Sequence, residues 1–374
     1  MPEFGLFFSR LAALLIHKRG IQVLFGVLFG VACFLGGSSG KVSFAQPPVP
    51  KNHLYLPMVM RIEFQTGPDI FTTSYYMKTV DPAASYRLGC ALGTRDAGLV
   101  GDQDNIVVLD YGRSIYDNIN GQMDYGTRLF ITAARVSLNQ IALSAEKFGE
   151  GYFICTGKDT VSRVKIAIGT NNYEYEGCTN CSHNYNHGAA FAKMVNSVNA
   201  WFLEKSYTSQ VSAAGANDLE LSWNTYTRTK SWLDGYDSAN QYELYNFGAV
   251  PGCPYFASPG AQCGSYPILW SKEEVWFVIY GSRPVYPLPE IYSNNGVNAQ
   301  QWYLMSVYSY TAHGLAIEFP GLMTQSLSCV NNSDPECDFL NNTPLDGWTQ
   351  LQALLNGDPR TAYPIRLVTD IKYQ

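Results

Sequence analysis

Short apolar runs of strand length alternate with amphipathic, helix-length segments along this chain, and that alternation restricts the fold more than any other feature. Asn105–Asp110, Val164–Gly169, Val211–Leu221, Tyr242–Phe247, Glu274–Tyr280, Leu288–Tyr292, Ile317–Met323 and Ile365–Asp370 read as strands. Ser137–Phe148, Gly188–Glu204, 226–236, Asn298–Tyr310 and Leu345–Leu355 read as helices, with apolar residues at helical spacing such as Leu138, Ile141, Ala145 and Phe148. Continuous apolar strands separated by helices imply βα units around a parallel sheet. Seven or eight such strands fit a closed (β/α)8 barrel better than an open sheet, and 374 residues leave room for one. The expected fold class is therefore α/β, a TIM-barrel-like (β/α)8 domain over residues 105–374.

The residues ahead of the barrel divide by composition. Arg10, His17, Lys18 and Arg19 precede an apolar run from Ile21 to Leu35, and Ser43-Phe44-Ala45 follows before Gln46-Pro47-Pro48. A charged region, an apolar region and a small-residue site make a signal peptide over 1–45, cleaved after Ala45. An uncleaved anchor is the alternative. Gly30, where a lipobox wants Leu, and the continuation of the apolar run past Cys33 argue against lipidation. Pro47, Pro48, Pro50 and Pro57 make 46–60 a stiff linker. Residues 61–104 lack a clear apolar period and are expected to form a cap on the barrel.

Cysteine usage agrees with export to a secreted or cell-surface location. Eight of the nine Cys lie beyond the signal segment, an even number that suggests disulfides. Proximity pairs Cys178–Cys181, Cys253–Cys263 and Cys329–Cys337, which leaves Cys90 with Cys155. Charged residues make up only 15% of the chain, and solubility then rests on polar residues and on 26 Tyr. With a net charge of −6 and no basic stripe, no nucleic-acid partner is expected. Cys178-x2-Cys181-x-His183-x3-His187 contains metal-binding residue types, but its spacing is too short for a zinc finger, and a loop disulfide explains the pair. No metal and no cofactor is expected. Oligomeric state is left open by the sequence.

The polar residues cluster where strands end, which in a (β/α)8 barrel is where active sites lie. Asp110, Asn171, Asp218, Glu220, Asn246, Glu290, Tyr292, Gln325 and Asp370 all fall at or just past predicted strand ends. Asp218 and Glu220 are two apart in Gly215-Ala216-Asn217-Asp218-Leu219-Glu220-Leu221-Ser222-Trp223, so a strand projects them from one face. Two carboxyls on one face at the end of an apolar strand are costly unless they act. Paired carboxylates are the machinery of glycoside hydrolysis. On this reading Glu220 is the general acid and Asp218 orients substrate or stabilises charge. Glu290, Asp110 and Asp370 compete for the second carboxyl. Asn171, Asn246, Tyr292 and Gln325 bind sugar hydroxyls, and Trp223 stacks on a sugar ring. The competing reading is a strand end carrying two solvated acids.

From Ile106 onward the chain resembles exported bacterial proteins of unassigned function with glycosidase-type barrels. The residues that carry this are Val108-Leu109-Asp110-Tyr111-Gly112, Gly169-Thr170-Asn171-Asn172, Gly215 to Trp223, Tyr245-Asn246-Phe247-Gly248, Pro289-Glu290-Ile291-Tyr292 and Thr369-Asp370-Ile371. The Asp-x-Glu at 218–220 is similar to that of family 25 lysozymes and, more loosely, of chitinase-type barrels. The full acid-rich chitinase strand is absent, since Ala214 and Asn217 stand where further acids belong. The resemblance implies a hydrolase acting on polysaccharide or peptidoglycan, with the membrane involved only through the signal or an anchor. A barrel that binds glycan or a surface partner without cleaving it is the alternative. A peptidase or amidase is disfavoured, because no nucleophile elbow or H-E-x-x-H motif is present.

Overall fold

The computed structural model describes residues 67–374, apart from 175–180, 254–261, 283 and 331–333. The signal segment, the Pro-rich linker and Cys178 lie outside the described residues.

Twelve strands and eight α-helices follow the chain in the order β1 (Ile70–Tyr76), α1 (Pro82–Ala97), β2 (Asp104–Ile119), β3 (Gln122–Arg128), β4 (Arg135–Ser137), α2 (Leu138–Cys155), β5 (Arg163–Asn171), α3 (Tyr185–Glu204), β6 (Val211–Asp218), α4 (Tyr226–Asp237), β7 (Leu244–Asn246), β8 (Cys263–Ser265), β9 (Ile268–Trp270), α5 (Lys272–Trp276), β10 (Val285–Pro287), α6 (Val297–His313), β11 (Leu322–Thr324), α7 (Ser326–Cys329), α8 (Pro344–Asn356) and β12 (Leu367–Tyr373). Eight of these strands are parallel and run β10-β7-β6-β5-β2-β1-β12-β11 across the sheet. The two ends meet just beyond β10. There the Ile291 N–H donates to the Met323 carbonyl (2.9 Å) and the Met323 N–H donates to the Pro289 carbonyl (2.8 Å). The result is a nearly closed TIM-barrel-like α/β fold, with β3 and β4 rising as an antiparallel extension of β2.

Strand alternation sends successive side chains to opposite faces. Val107, Leu109, Ile166, Ile168 and Ala213 pack outward against Phe148, Phe191, Val195 and Trp232 of the helices. Val108, Ala167, Ala214, Ala216, Phe247, Leu288 and Met323 fill the interior. The helices start at good caps. Ser137 and Gln140 form a reciprocal capping box on α2, and Asn184 caps α3 through the His187 N–H.

Two expectations are corrected. Residues 70–97 are not a cap; they supply the first βα unit of the barrel, with β1 hydrogen-bonded between β12 and β2. Glu274–Tyr280 is not a strand. Ser271 accepts the Glu274 N–H and Glu274 returns a bond to the Ser271 N–H, and this capping box starts α5, which runs into a π-turn at Phe277–Gly281. Among the described residues three disulfides join Cys90–Cys155, Cys253–Cys263 and Cys329–Cys337, the first expected by elimination and the other two by proximity. Among the described residues no helix is long and apolar enough to cross a membrane.

Candidate active site

β6 leaves its apolar section at Ala216 and delivers Asp218 to the inner face, at the C-terminal rim of the barrel. Glu220 follows after one further turn of backbone. Asn172 fixes that turn: the Glu220 N–H donates to its Oδ1 (3.1 Å), and its Nδ2 donates back to the Glu220 carbonyl (3.0 Å). Gly248 lets the chain after β7 pass close by, since a Cβ there would lie 2.6–2.8 Å from the backbone of Leu219. The next N–H, that of Ala249, donates to Glu220 Oε1 (2.7 Å). Glu290 arrives from the chain beyond β10, at the bridge to Met323 that closes the barrel. One carboxylate oxygen each from Asp218, Glu220 and Glu290 lie within 4.8 Å of one another. Among the described residues this is the one set of three acidic or other metal-ligating side chains brought together, so it is also where a cation would be held.

Asp110 faces the same interior from β2, paired in register with Tyr76 of β1 and Gly169 of β5. A bulge follows it, where Gly112 sits at φ 82° against the Arg128 carbonyl, a left-handed conformation suited to glycine. The bulge turns the Gly112 N–H onto Asp110 Oδ1 (2.9 Å). Asp110 Oδ2 and Asp218 Oδ1 are buried and, among the described residues, accept no hydrogen bond. None of the ion pairs among the described residues includes Asp110, Asp218, Glu220 or Glu290.

Burial raises every one of these carboxyls. Asp110 is pushed up to about 7, held back by the Gly112 N–H. Glu220 is pushed up to about 7, held back by the Ala249 N–H. Asp218 is raised well above the carboxylate range by burial and then by the charges of Glu290, Glu220 and Asp110. Glu290 is likewise raised by burial and by Glu220, against the Tyr292 hydroxyl. At neutral pH the cluster therefore holds protons beside an ionised carboxylate, the mixed state that acid–base chemistry uses.

Of the expected site residues, the structure brings together Asp218, Glu220, Glu290, Asp110 and Tyr292. The Tyr292 ring joins the barrel interior and its hydroxyl lies beside Glu290 and Tyr76. Asn171 shares the inner face of β5, and its Oδ1 accepts the Tyr173 N–H. Trp223 stands half-buried at the rim, edge-on to Tyr173 at 5.9 Å. Three residues point elsewhere. Asp370 is not a strand-end acid, because β12 continues to Tyr373 and turns this carboxylate to the helix side, where it accepts the Ser326 hydroxyl and the Leu327 N–H (3.4 Å). Asn246 shares the helix-side face with Leu244, and its Oδ1 accepts the Gly248 N–H. The Gln325 amide is engaged by the Leu340 carbonyl. Tyr76 belongs with the site though nothing in the sequence points to it, and Asn172, a strand-end amide in the sequence, takes a role beyond that. Tyr76 lies in the segment read as a cap, and Asn172 acts through the backbone of Glu220.

The fold and this rim together define a TIM-barrel-like protein with a buried carboxylate cluster at the C-terminal end of the barrel strands. No family model matches the chain, and no curated protein is significantly similar to it. Among solved structures it is similar to a dihydrodipicolinate synthase family protein from Coccidioides immitis, at 11% identity and a TM-score of 0.33, over 71% of this chain and 63% of that one. A likeness so distant carries no functional argument.

Proposed function

We propose that the protein is an exported glycoside hydrolase acting on cell-wall or environmental polysaccharide through Glu220 and Glu290. The observation that carries this is the convergence of Asp218, Glu220 and Glu290, with oxygens within 4.8 Å, at the C-terminal rim of a barrel. Spacing this short matches the retaining geometry, in which the two carboxyl groups lie about 5–5.5 Å apart and no water fits between sugar and carboxylate. The sequence alone puts the proton on Glu220. The Ala249 N–H favours the opposite assignment, because a backbone donor stabilises the ionised carboxylate. Glu220 attacks the anomeric carbon while Glu290 passes its proton to the leaving glycosidic oxygen, and the C–O bond breaks. Water then attacks the glycosyl ester, returns a proton to Glu290 and frees Glu220. Asp218 holds the shared protons in the cluster, and Asn172 positions Glu220.

The test is release of reducing ends from peptidoglycan and a panel of soluble polysaccharides by the purified chain. Wild-type release that falls at least roughly a thousandfold in both Glu220→Gln and Glu290→Gln supports the reading. Binding to a polymer with no cleavage by any form moves the assignment to a non-catalytic glycan-binding barrel.

A further inference from the structure

Asp110 has no part in a two-carboxylate reaction, yet it is fully buried and keeps one oxygen without a hydrogen-bond donor. A buried carboxylate left unsatisfied is costly, and such groups are retained at sites that meet a ligand. Its surroundings are specific. The neighbouring register positions on β5 and β6 are Gly169 and Ala216, so no side chain longer than a methyl stands at those positions between Asp110 and the strand that carries Asp218. Asp110 thus joins Asp218, Glu220 and Glu290 in one chamber, and among the described residues none of the four has a Lys, Arg or His partner. A neutral sugar hydroxyl or an N-acetyl group leaves the shared protons of the cluster in place, whereas a positive ligand group takes their place and offers N–H donors to the orphaned oxygens of Asp110 and Asp218.

We propose that the chamber takes a hexosamine whose 2-amino group is free and protonated, so that the substrate is a partially N-deacetylated glycan. This rests on the glycosidase reading and narrows its substrate class. An ammonium presents three N–H donors on one compact charge. The two orphaned carboxylate oxygens, Oδ2 of Asp110 and Oδ1 of Asp218, supply acceptors for two of those donors. Carbon 2 of a hexosamine is bonded to the anomeric carbon, so an ammonium held there by Asp218, with Asp110 beneath, sits beside the reacting centre without displacing it. An amino group at carbon 2 occupies the place of the 2-hydroxyl, whose hydrogen bonds strengthen in the transition state of glycoside hydrolysis.

The experiment measures binding of glucosamine, galactosamine and chitosan oligosaccharides against the same sugars after chemical N-acetylation. Tryptophan fluorescence and calorimetry at pH 7 give the affinities, at low and high NaCl. Amino forms are expected to bind at least roughly ten-fold tighter than N-acetylated forms, as hydrogen bonds to charged groups do. That preference should shrink in high salt and in Asp110→Asn, which keeps the side-chain shape and whose melting curve confirms folding. Equal or tighter binding of the N-acetylated forms overturns the inference, as does an absence of amino-sugar binding. So does specific binding of Ca2+ or Mg2+ that raises the melting temperature and is lost in Asp218→Asn, which would make the cluster a metal site. Carboxylate-dependent cleavage of an N-acetylated or neutral polymer without amino-sugar preference refutes this inference and leaves the glycosidase reading standing. Amino-sugar binding without cleavage of any polymer does the reverse.

Discussion

Asp110 illustrates the conflict that runs through this site. Its carboxyl lies at the base of the barrel mouth with a single N–H donor, from Gly112, and burial holds its pKa near 7. An acid raised in this way binds its proton more tightly folded than unfolded. The stability it contributes is complete below the ordinary Asp range and is lost as pH rises through about 7. The Asp110→Asn variant should therefore gain on wild type as pH rises. Chemical denaturation at pH 5 and pH 8 should show the difference in unfolding free energy between the two growing by about 2–3 kcal/mol. Under the proposed glycosidase reaction, activity follows the other carboxyls. Glu220 must be ionised to attack, so kcat/KM rises with pH through about 7. Glu290, raised further, must keep its proton, so the rate falls again on the alkaline side, and Glu290→Gln should remove that limb of the profile. These limbs belong to the cluster as a whole, since its members titrate together.

At the level of elements, the site depends on how closely three segments pass. Gly248 crosses Leu219 between the two acids of β6 and its continuation. Gly248→Ala should cost about 1–3 kcal/mol by overpacking. The same change should lower kcat roughly ten-fold or more by displacing Glu220 from Glu290, with thermal melts and steady-state kinetics as the checks. Legibility in the sequence follows the same elements. Strands such as Val164–Gly169 and Val211–Ala216 were readable because both faces are buried and the run is apolar throughout. β1 was not. Its inward positions, Thr72 and Ser74, are polar and buried, with Ser74 hydrogen-bonded to Thr369, so Ile-Phe-Thr-Thr-Ser-Tyr-Tyr lacks the apolar run of a core strand. Tyr76 disappeared with it. Glu274–Tyr280 has strand composition, but the Ser271–Glu274 capping box prevailed over residue preference. The acids at 218 and 220 were readable because two carboxyls close an apolar strand. The inclusion of Glu290 and the exclusion of Asp370 were not, because they depend on where β10 and β12 stop.

For the whole molecule, closing the barrel brings Glu290 to Glu220, and one of the disulfides joins two helices of the outer layer. Cys90–Cys155 ties α1 to α2 across a sequence separation of 65. A loop of that size restricts the unfolded chain by about 4 kcal/mol in the chain-entropy account. The Cys90→Ala/Cys155→Ala variant should lose about 2–4 kcal/mol in denaturant unfolding. Its turnover in the native state should be unchanged, because the bridge lies between the helices and not at the rim. Reduction of wild type should reproduce the stability loss. The three disulfides are consistent with an oxidising, extracellular environment.

The division of labour between Glu220 and Glu290 is tested most directly by chemical rescue. Glu220→Gly and Glu290→Gly are assayed with sodium azide on the polysaccharide, or an activated aryl glycoside derived from it, that wild type cleaves. The account predicts that azide restores turnover in Glu220→Gly and yields a glycosyl azide of inverted anomeric configuration, while Glu290→Gly gives an azide product of retained configuration. Rescue with the two configurations exchanged, or wild-type turnover in either unrescued variant, would contradict it.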